Sequence, residues 1–340
     1  MRAVLFAFTE AGKRTAQRIG GILSASDWIC DYRAPARLTG EGFEAYSGGL
    51  PEYVGGVFER DALLFVGAAG IAVRAIAPHA ASKRSDPAVL CVDERAQFVI
   101  PLLSGHIGGA NRLARMLAGA LNAVPVITTA TDVNGRFSVD AWAAEHRMTI
   151  TSMALAKRVS AEILTRDIPF WSDAPEPKHL AEGLYWSNEG SLGVCASVRA
   201  LQPFDATLLL VPRALRIGLG CRRGTPMEVI EAAIQGVFSE HHLRLEAVAE
   251  AASIDVKSDE VGLNACCAAH GWPIVFYTPE QLSAVPGAFS KSEFVKHTVG
   301  VDNVCERAAA ATGGRIIVPK TAQNGVTVAV AELEWGIEFG

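Results

Sequence analysis

Short apolar runs recur along this chain, each closed by a glycine- or threonine-rich loop that leads into a helical pattern. That alternation of a strand period with a helix period restricts the chain to an α/β architecture. Residues 3–8 form an apolar strand, Thr9 is placed to cap a helix, and Ala16, Ile19, Ile22 and Leu23 share one face of that helix. Residues 61–66 repeat the strand, Gly67-Ala68-Ala69-Gly70 supplies a turn, and the segment behind it ends at Pro78. Residues 89–92 and 97–103 read as two strands joined by the polar turn Asp93-Glu94-Arg95, which predicts a hairpin. Leu113, Met116, Leu117, Ala120 and Leu121 give 110–121 helical spacing, 125–127 read as the next strand, and a helix begins at Val139.

The pattern weakens over 149–212, where Pro169, Pro175 and Pro177 crowd one stretch. It returns at 215–219, with further strands near 246–251, 274–276, 315–318 and 326–330. A chain of 340 residues is long for one core. The expectation is therefore two α/β domains with largely parallel sheets, 1–148 and 213–340, joined by a less regular middle segment, 149–212.

Half of the residues are hydrophobic, so sizeable cores can form. Arg74, Arg112 and Arg115 interrupt the longest apolar stretches before they reach the ~18 residues of a membrane span. The first residues lack a secretory cleavage pattern, so a cytoplasmic protein is expected. A net charge of −5, with no basic run interleaved with aromatics, argues against nucleic acid as a partner. The seven cysteines include no CxxC pair, and adjacent Cys266 and Cys267 cannot jointly form a zinc corner. Reduced, mostly buried thiols and no protein-held metal are expected.

Three loops have the composition of a site. In Ser104-Gly105-His106-Ile107-Gly108-Gly109-Ala110-Asn111, just before a helix, the Gly108 and Gly109 amides could stabilise an oxyanion, with His106 as a base taking a proton from water. A histidine that only hydrogen-bonds backbone is the plain alternative. Thr128-Thr129-Ala130-Thr131-Asp132-Val133-Asn134-Gly135 follows a strand, at the end where α/β sheets place ligands. There Asp132 could orient His106 or bind water, although Asp132 and Asn134 equally suit a turn.

The third loop, Gly218-Leu219-Gly220-Cys221-Arg222-Arg223-Gly224, precedes Thr225-Pro226-Met227-Glu228, which predicts a capping box with the helix starting at Pro226. Arg222 and Arg223 suit a carboxylate or phosphate, or are simply solvated. A dinucleotide fingerprint would need its third glycine at 223, which is Arg223, so NAD binding is disfavoured. A Walker-type lysine is missing, and Leu102 stands where a Gly-x-Ser-x-Gly elbow at Ser104 needs glycine.

In these loops the chain resembles the cobalt-precorrin-5A hydrolases of anaerobic cobalamin synthesis, the CbiG family. The likeness rests on Phe8-Thr9-Glu10-Ala11-Gly12, on 70–79, on Asp86-Pro87-Ala88-Val89, on 103–111 and on 128–135. Beyond the middle segment it continues through 218–224, Ser253-Ile254-Asp255-Val256-Lys257 and 299–306, in the family's order. The C-terminal half alone resembles a smaller protein of the aerobic pathway.

The resemblance implies that water opens the δ-lactone of cobalt-precorrin-5A and that acetaldehyde leaves, giving cobalt-precorrin-5B. Cobalt then arrives with the substrate, and no cofactor is needed. A corrinoid with many carboxylate arms needs cationic anchors, for which Arg74, Arg222, Arg223, Lys257 and Lys320 are the candidates. Catalytic parts, read from the loops themselves and not from the family, fall to His106, Asp132 and Ser104. Gly108, Gly109, Asn111, Thr128, Thr129, Thr131, Asn134 and Gly220 complete the expected substrate contacts. The expected site is a cleft shared by both domains and lined by the loops at Gly67, Ser104, Thr128 and Gly220. The competing reading is a non-catalytic corrinoid carrier or scaffold that hands the macrocycle to other enzymes of the pathway.

Overall fold

The N-terminal apolar run becomes an interior strand because both of its faces are apolar. Strand β1 (Arg2–Ala7) has all residues but the first buried, and it lies between two parallel neighbours. The computed structural model describes residues 1–82, 85–106, 108–290 and 301–339, so Ile107, Val299 and Gly300 of the motifs above lie outside the described residues. The chain divides into two units, Met1–Ala144 and Glu145–Gly340.

In the N-terminal unit, α1 (Glu10–Ser24) starts as expected, with Thr9 accepting a hydrogen bond from the Gly12 amide. Next come β2 (Ile29–Ala34), β3 (Glu44–Ala45), α2 (Leu50–Gly56), β4 (Ala62–Val66), α3 (Ala69–Ile76), β5 (Ala88–Val92) and β6 (Phe98–Leu103). The unit continues with α4 (Ala110–Leu121), β7 (Val124–Pro125), α5 (Ala130–Val133) and α6 (Val139–Glu145). One seven-stranded sheet has the order β3-β2-β1-β4-β5-β6-β7. The hairpin of β5 and β6 reverses direction, and β7 runs parallel to β6, so these last two strands oppose the other five.

The middle segment is more regular than its sequence pattern suggests. Strands β8 (Met148–Ile150), β9 (Ile168–Ser172), β10 (Leu184–Trp186), β11 (Gly193–Ala196) and β12 (Thr207–Pro212), with helix α7 (Met153–Glu162), form a five-stranded sheet ordered β10-β9-β11-β12-β8. Four strands are parallel and β8 is antiparallel at the edge. These strands have three to six residues, too few for a period to stand out, and Pro169 sits inside β9 rather than in a loop. Cys195, Val198, Phe204, Leu209 and Val211 share one core with Ile217, Ile234 and Phe238.

A third sheet is built from β13 (Leu215–Cys221), β14 (Val248–Ile254), β15 (Ile274–Tyr277), β16 (Arg315–Gln323) and β17 (Val326–Glu332) in the order β15-β14-β13-β17-β16. Its two faces are read off alternate residues. Val328, Val330 and Ala251 pack against α8 (Met227–Glu240) and α9 (Val261–Ala269), whereas Ala329, Ala331 and Ala252 pack against α10 (Pro279–Ala284) and α11 (Cys305–Ala310). All seven thiols are free, and Cys91, Cys195, Cys266, Cys267 and Cys305 are buried. Among the described residues no helix is long and apolar enough to cross a membrane.

Helix α11 approaches β13 so closely that a β-carbon on Gly218 would lie 1.8 Å from the Cys305 carbonyl oxygen, which backbone cannot easily vacate. Gly218→Ala should therefore lower the urea midpoint, at a cost of ~1–3 kcal/mol or more. Gly21→Ala, in an open interior position of α1, should raise it by up to ~1 kcal/mol. Equal midpoints for the two variants would contradict the close packing of α11 on β13.

Candidate active site

Because β6 and β7 run against β1, β4 and β5, the loops that leave them open at the edge where those three strands begin. Ser104, after β6, donates to the carbonyl of Asp86, just before β5. Gly67 lies at the other edge, where its amide bonds the Val92 carbonyl at the end of β5. A five-residue strand spans ~17 Å, so one site cannot be lined by both the Gly67 and the Ser104 loops. The expected cleft is corrected on that point. Exposed Arg74 reaches back 3.5 Å to the Gly70 carbonyl.

The Ser104 and Thr128 loops do meet, and His106 is the joint. Its Nε2 lies 2.8 Å from Asp132 Oδ2 and its Nδ1 lies 3.0 Å from Asp140 Oδ1. Ser138 Oγ lies 3.2 Å from Nδ1 and bonds Asp140 as well. Thr131 Oγ1 is 3.5 Å from Nε2. Asp132 also accepts hydrogen bonds from Asn111 Nδ2, Thr129 Oγ1 and the Arg115 guanidinium. Buried Asn111 donates to Thr129 as well, and so orients the carboxylate rather than facing outward.

Burial works against a charge on His106, but hydrogen bonds and charge from Asp140, then from Asp132, outweigh it and raise the ring's pKa above its ordinary 6.5. Burial likewise opposes charge on Asp132, yet hydrogen bonds from Thr129, Arg115 and His106 hold its carboxyl well below the usual range. For Asp140, burial is outweighed by the contact with His106, and its pKa too is lowered. The two carboxylates favour the imidazolium form, with each ring nitrogen facing a carboxylate oxygen. As placed, the ring offers water no free lone pair.

The loop's geometry comes from its glycines. Ser104 has φ +56, and a β-carbon on Gly108 would lie 2.4 Å from Ser104 Cβ, so glycine is required there. The expected oxyanion nest is mostly filled from within: Gly109 N–H donates to His106 O, Ala110 N–H to Ser104 O and Asn111 N–H to Gly105 O. The loop's tight turn brings its own carbonyls onto these amides. Gly108 N–H has no acceptor among the described residues. Beside it opens a cavity of about 650 Å³, lined by Gly108, Gly109, Arg112, Asp86, Asp61 and Trp28 among others. Thr128 and Asn134 are exposed, and Asn134 Nδ2 bonds the Ala130 carbonyl.

In the C-terminal unit the expected capping box does not form. Pro226 is itself the N-cap, with ψ 151, and α8 starts at Met227. Thr225, one residue further out, donates to the Arg222 carbonyl instead. Arg223 pairs with Asp259, and Lys257 pairs with Glu260, which also receives the Gly224 amide. Those two charges are largely met by the chain's own acids. Arg222 is exposed, with no ion pair among the described residues. A β-carbon on Gly220 would meet Thr327, so that glycine serves strand packing, and the Lys320 amide holds Glu306. Sequence reasoning missed Asp140, Ser138, Arg112 and Arg115. The outward face of α4 was a signal for the two arginines, but nothing local marks Asp140.

Residues 53–132 match the family described as Cobalamin synthesis G N-terminal, and residues 215–331 match Cobalamin synthesis G C-terminus. The first match ends at Asp132, before Asp140. The chain is 33% identical over 355 residues to the cobalt-precorrin-5A hydrolase of Salmonella typhimurium, with 95% of each chain covered. It is 29% identical over 351 residues to the cobalt-precorrin-5A hydrolase of Priestia megaterium, covering 96% of this chain and 93% of that one. Among solved structures, a cobalamin biosynthesis protein G homolog from Sulfolobus solfataricus aligns at 23% identity over 98% of this chain and 97% of that chain, with a TM-score of 0.43.

The raised pKa of His106 adds stability that is complete below ~6.5 and lost as pH rises through the folded value. The lowered carboxylates add stability above ~4 that is lost on acidification through their folded values. The cluster is thus strongest between those limits. An NMR titration should place the His106 ring above 6.5, and Asp140→Asn should lower its pKa, because the larger of the two supporting carboxylates is gone. A ring titrating at its ordinary value in both proteins would contradict the two-carboxylate grip.

Proposed function

The chain belongs to the cobalamin synthesis G family, and from that premise we propose that it hydrolyses cobalt-precorrin-5A, opening the δ-lactone with water and releasing acetaldehyde to leave cobalt-precorrin-5B. The observation that carries this reading is the 33% identity to a cobalt-precorrin-5A hydrolase across 95% of both chains. A histidine held between two carboxylates, in the loop whose Gly108 and Gly109 line a cavity, supplies a chemistry that suits it.

In this reading His106 acts twice. The lactone displaces the Asp132 contact at Nε2 and takes that N–H as its hydrogen-bond donor. Water adds to the lactone carbonyl and gives up one proton to solvent, the acyl C–O bond breaks, and Nε2–H protonates the departing alkoxide oxygen. The new carboxylic acid loses its proton to solvent. The neutral ring then takes the alcohol proton back as the C–C bond breaks, and the bonding pair enters the macrocycle as acetaldehyde leaves. Asp140 holds Nδ1–H throughout and so keeps one tautomer in place. Asp132, fixed by Asn111, Thr129 and Arg115, stays anionic and favours recharging the ring.

Ser104 acts by shaping the loop, and the Gly108 amide is the donor for the carbonyl oxygen. Exposed Arg112, on the cavity wall, meets a carboxylate arm. Cobalt is a passenger on the substrate, and the proposed steps use no metal held by the protein.

Acetaldehyde can be followed by coupling to an alcohol dehydrogenase. His106→Ala should bind substrate yet slow acetaldehyde release by on the order of a hundredfold or more. His106→Gln should not restore it, because an amide hydrogen-bonds but cannot carry the proton. Corrinoid binding without acetaldehyde from the wild-type chain would make the protein a carrier. Near wild-type turnover in His106→Ala would reduce the histidine to a structural latch.

A further inference from the structure

Outside that site, one trio of side chains among the described residues has the chemistry of metal ligands: Glu231 on α8, and Cys266 and His270, one turn apart, on α9 and its C-terminal cap. One ligand atom from each lies within 4.8 Å of the others. His270 Nε2 is 2.7 Å from Glu231 Oε2, and Cys266 Sγ is 3.3 Å from the same oxygen. We propose that these three residues form a binding site for a divalent transition metal of the zinc class, with Cys266 Sγ, His270 Nε2 and Glu231 Oε2 as ligands and water in the fourth position.

The donor set is one thiolate, one imidazole and one carboxylate, which suits a borderline-soft cation and disfavours magnesium or calcium. Tetrahedral zinc sets its ligand atoms roughly 3.3 to 3.6 Å apart, given bond lengths near 2.0–2.3 Å. The His270–Glu231 and Cys266–Glu231 separations, 2.7 and 3.3 Å, lie near that range, and the third is at most 4.8 Å. The orientation is already fixed from outside. Gln235 Nε2 donates 2.6 Å to Glu231 Oε1, which leaves Oε2 to face the trio. The His270 ring stacks on Trp272 at 4.0 Å and 9°, which sets the plane in which Nε2 points. Such outer partners are what hold metal ligands in register.

Cys266 is fully buried, whereas the His270 and Glu231 side chains are 25% and 20% exposed, so the trio has a wet side through which an ion and its water can enter. Without metal, burial and the neighbouring carboxylate push the Cys266 thiol up to about 12, so it is protonated and donates to Glu231. Binding therefore releases the thiol proton. The bound ion would tie α8 to α9, the two helices covering one face of the third sheet. This site stands on its own contacts and does not depend on the proposed reaction.

The test is a titration of the metal-stripped full chain with Co2+, a spectroscopic stand-in for Zn2+. The expected result is one tight equivalent, with thiolate-to-cobalt charge-transfer absorption in the near ultraviolet, tetrahedral visible bands and displacement by Zn2+. Cys266→Ser should abolish the charge-transfer band, and Cys267→Ala should keep it. Glu231→Gln and His270→Gln, at partly exposed positions, should each weaken Zn2+ by more than the ~10-fold expected for loss of an outer partner such as Gln235. These two variants carry the test if the Cys266 variant does not fold. Absence of a charge-transfer band in the wild type, its persistence in Cys266→Ser, or unchanged affinity in both Gln variants would overturn the site.

Discussion

The N-terminal unit depends on how one imidazole is held. His106 carries a carboxylate on each ring nitrogen, and those carboxylates come from two further stretches, around Asp132 and around Asp140, so one ring joins three stretches of chain. Charge-assisted hydrogen bonds in a partly buried place are stronger than neutral ones, so the grip both holds the loops together and favours the charged ring. In the proposed reaction the same contacts make the ring an acid first, and a base only after it has given up a proton.

Strand direction places this grip. Had β6 continued parallel to β5, its loop would open beside Gly67, at the edge where Thr9 bonds Glu94. The hairpin turn at Asp93, whose carboxylate accepts the Gln97 and Phe98 amides, reverses the chain instead. It brings Ser104 to the Asp86 end of the sheet. One local turn therefore separates the two glycine-rich loops of this unit and gives the site its single edge.

Much of this was legible in the sequence where the cause is local. The Thr9 cap, the hairpin and the bounds of α4 depend on residues within a few positions of one another, and the structure has each of them. The middle sheet was not legible, because three- to six-residue strands carry little period and Pro169 reads as punctuation. The capping box at Thr225 failed because a proline with extended ψ moves the helix start by one residue. His106 and Asp132 stood out by their loops, but Asp140 is 34 positions from the ring it holds and looks like any helix-start acid. In the same way, Cys266 drew notice only for its neighbour Cys267. Its partners are one helical turn on and across a helix pair, a relation only the tertiary structure supplies.

The central claim is that His106 enters the reaction charged, and the pH dependence of kcat for acetaldehyde release tests it most directly. The account predicts a plateau in the acid-to-neutral range and a fall as pH rises through the raised His106 pKa, with that fall moved to lower pH in Asp140→Asn, where one supporting anion is gone. A rate that climbs through this range, or a falling limb that Asp140→Asn leaves in place, would contradict it.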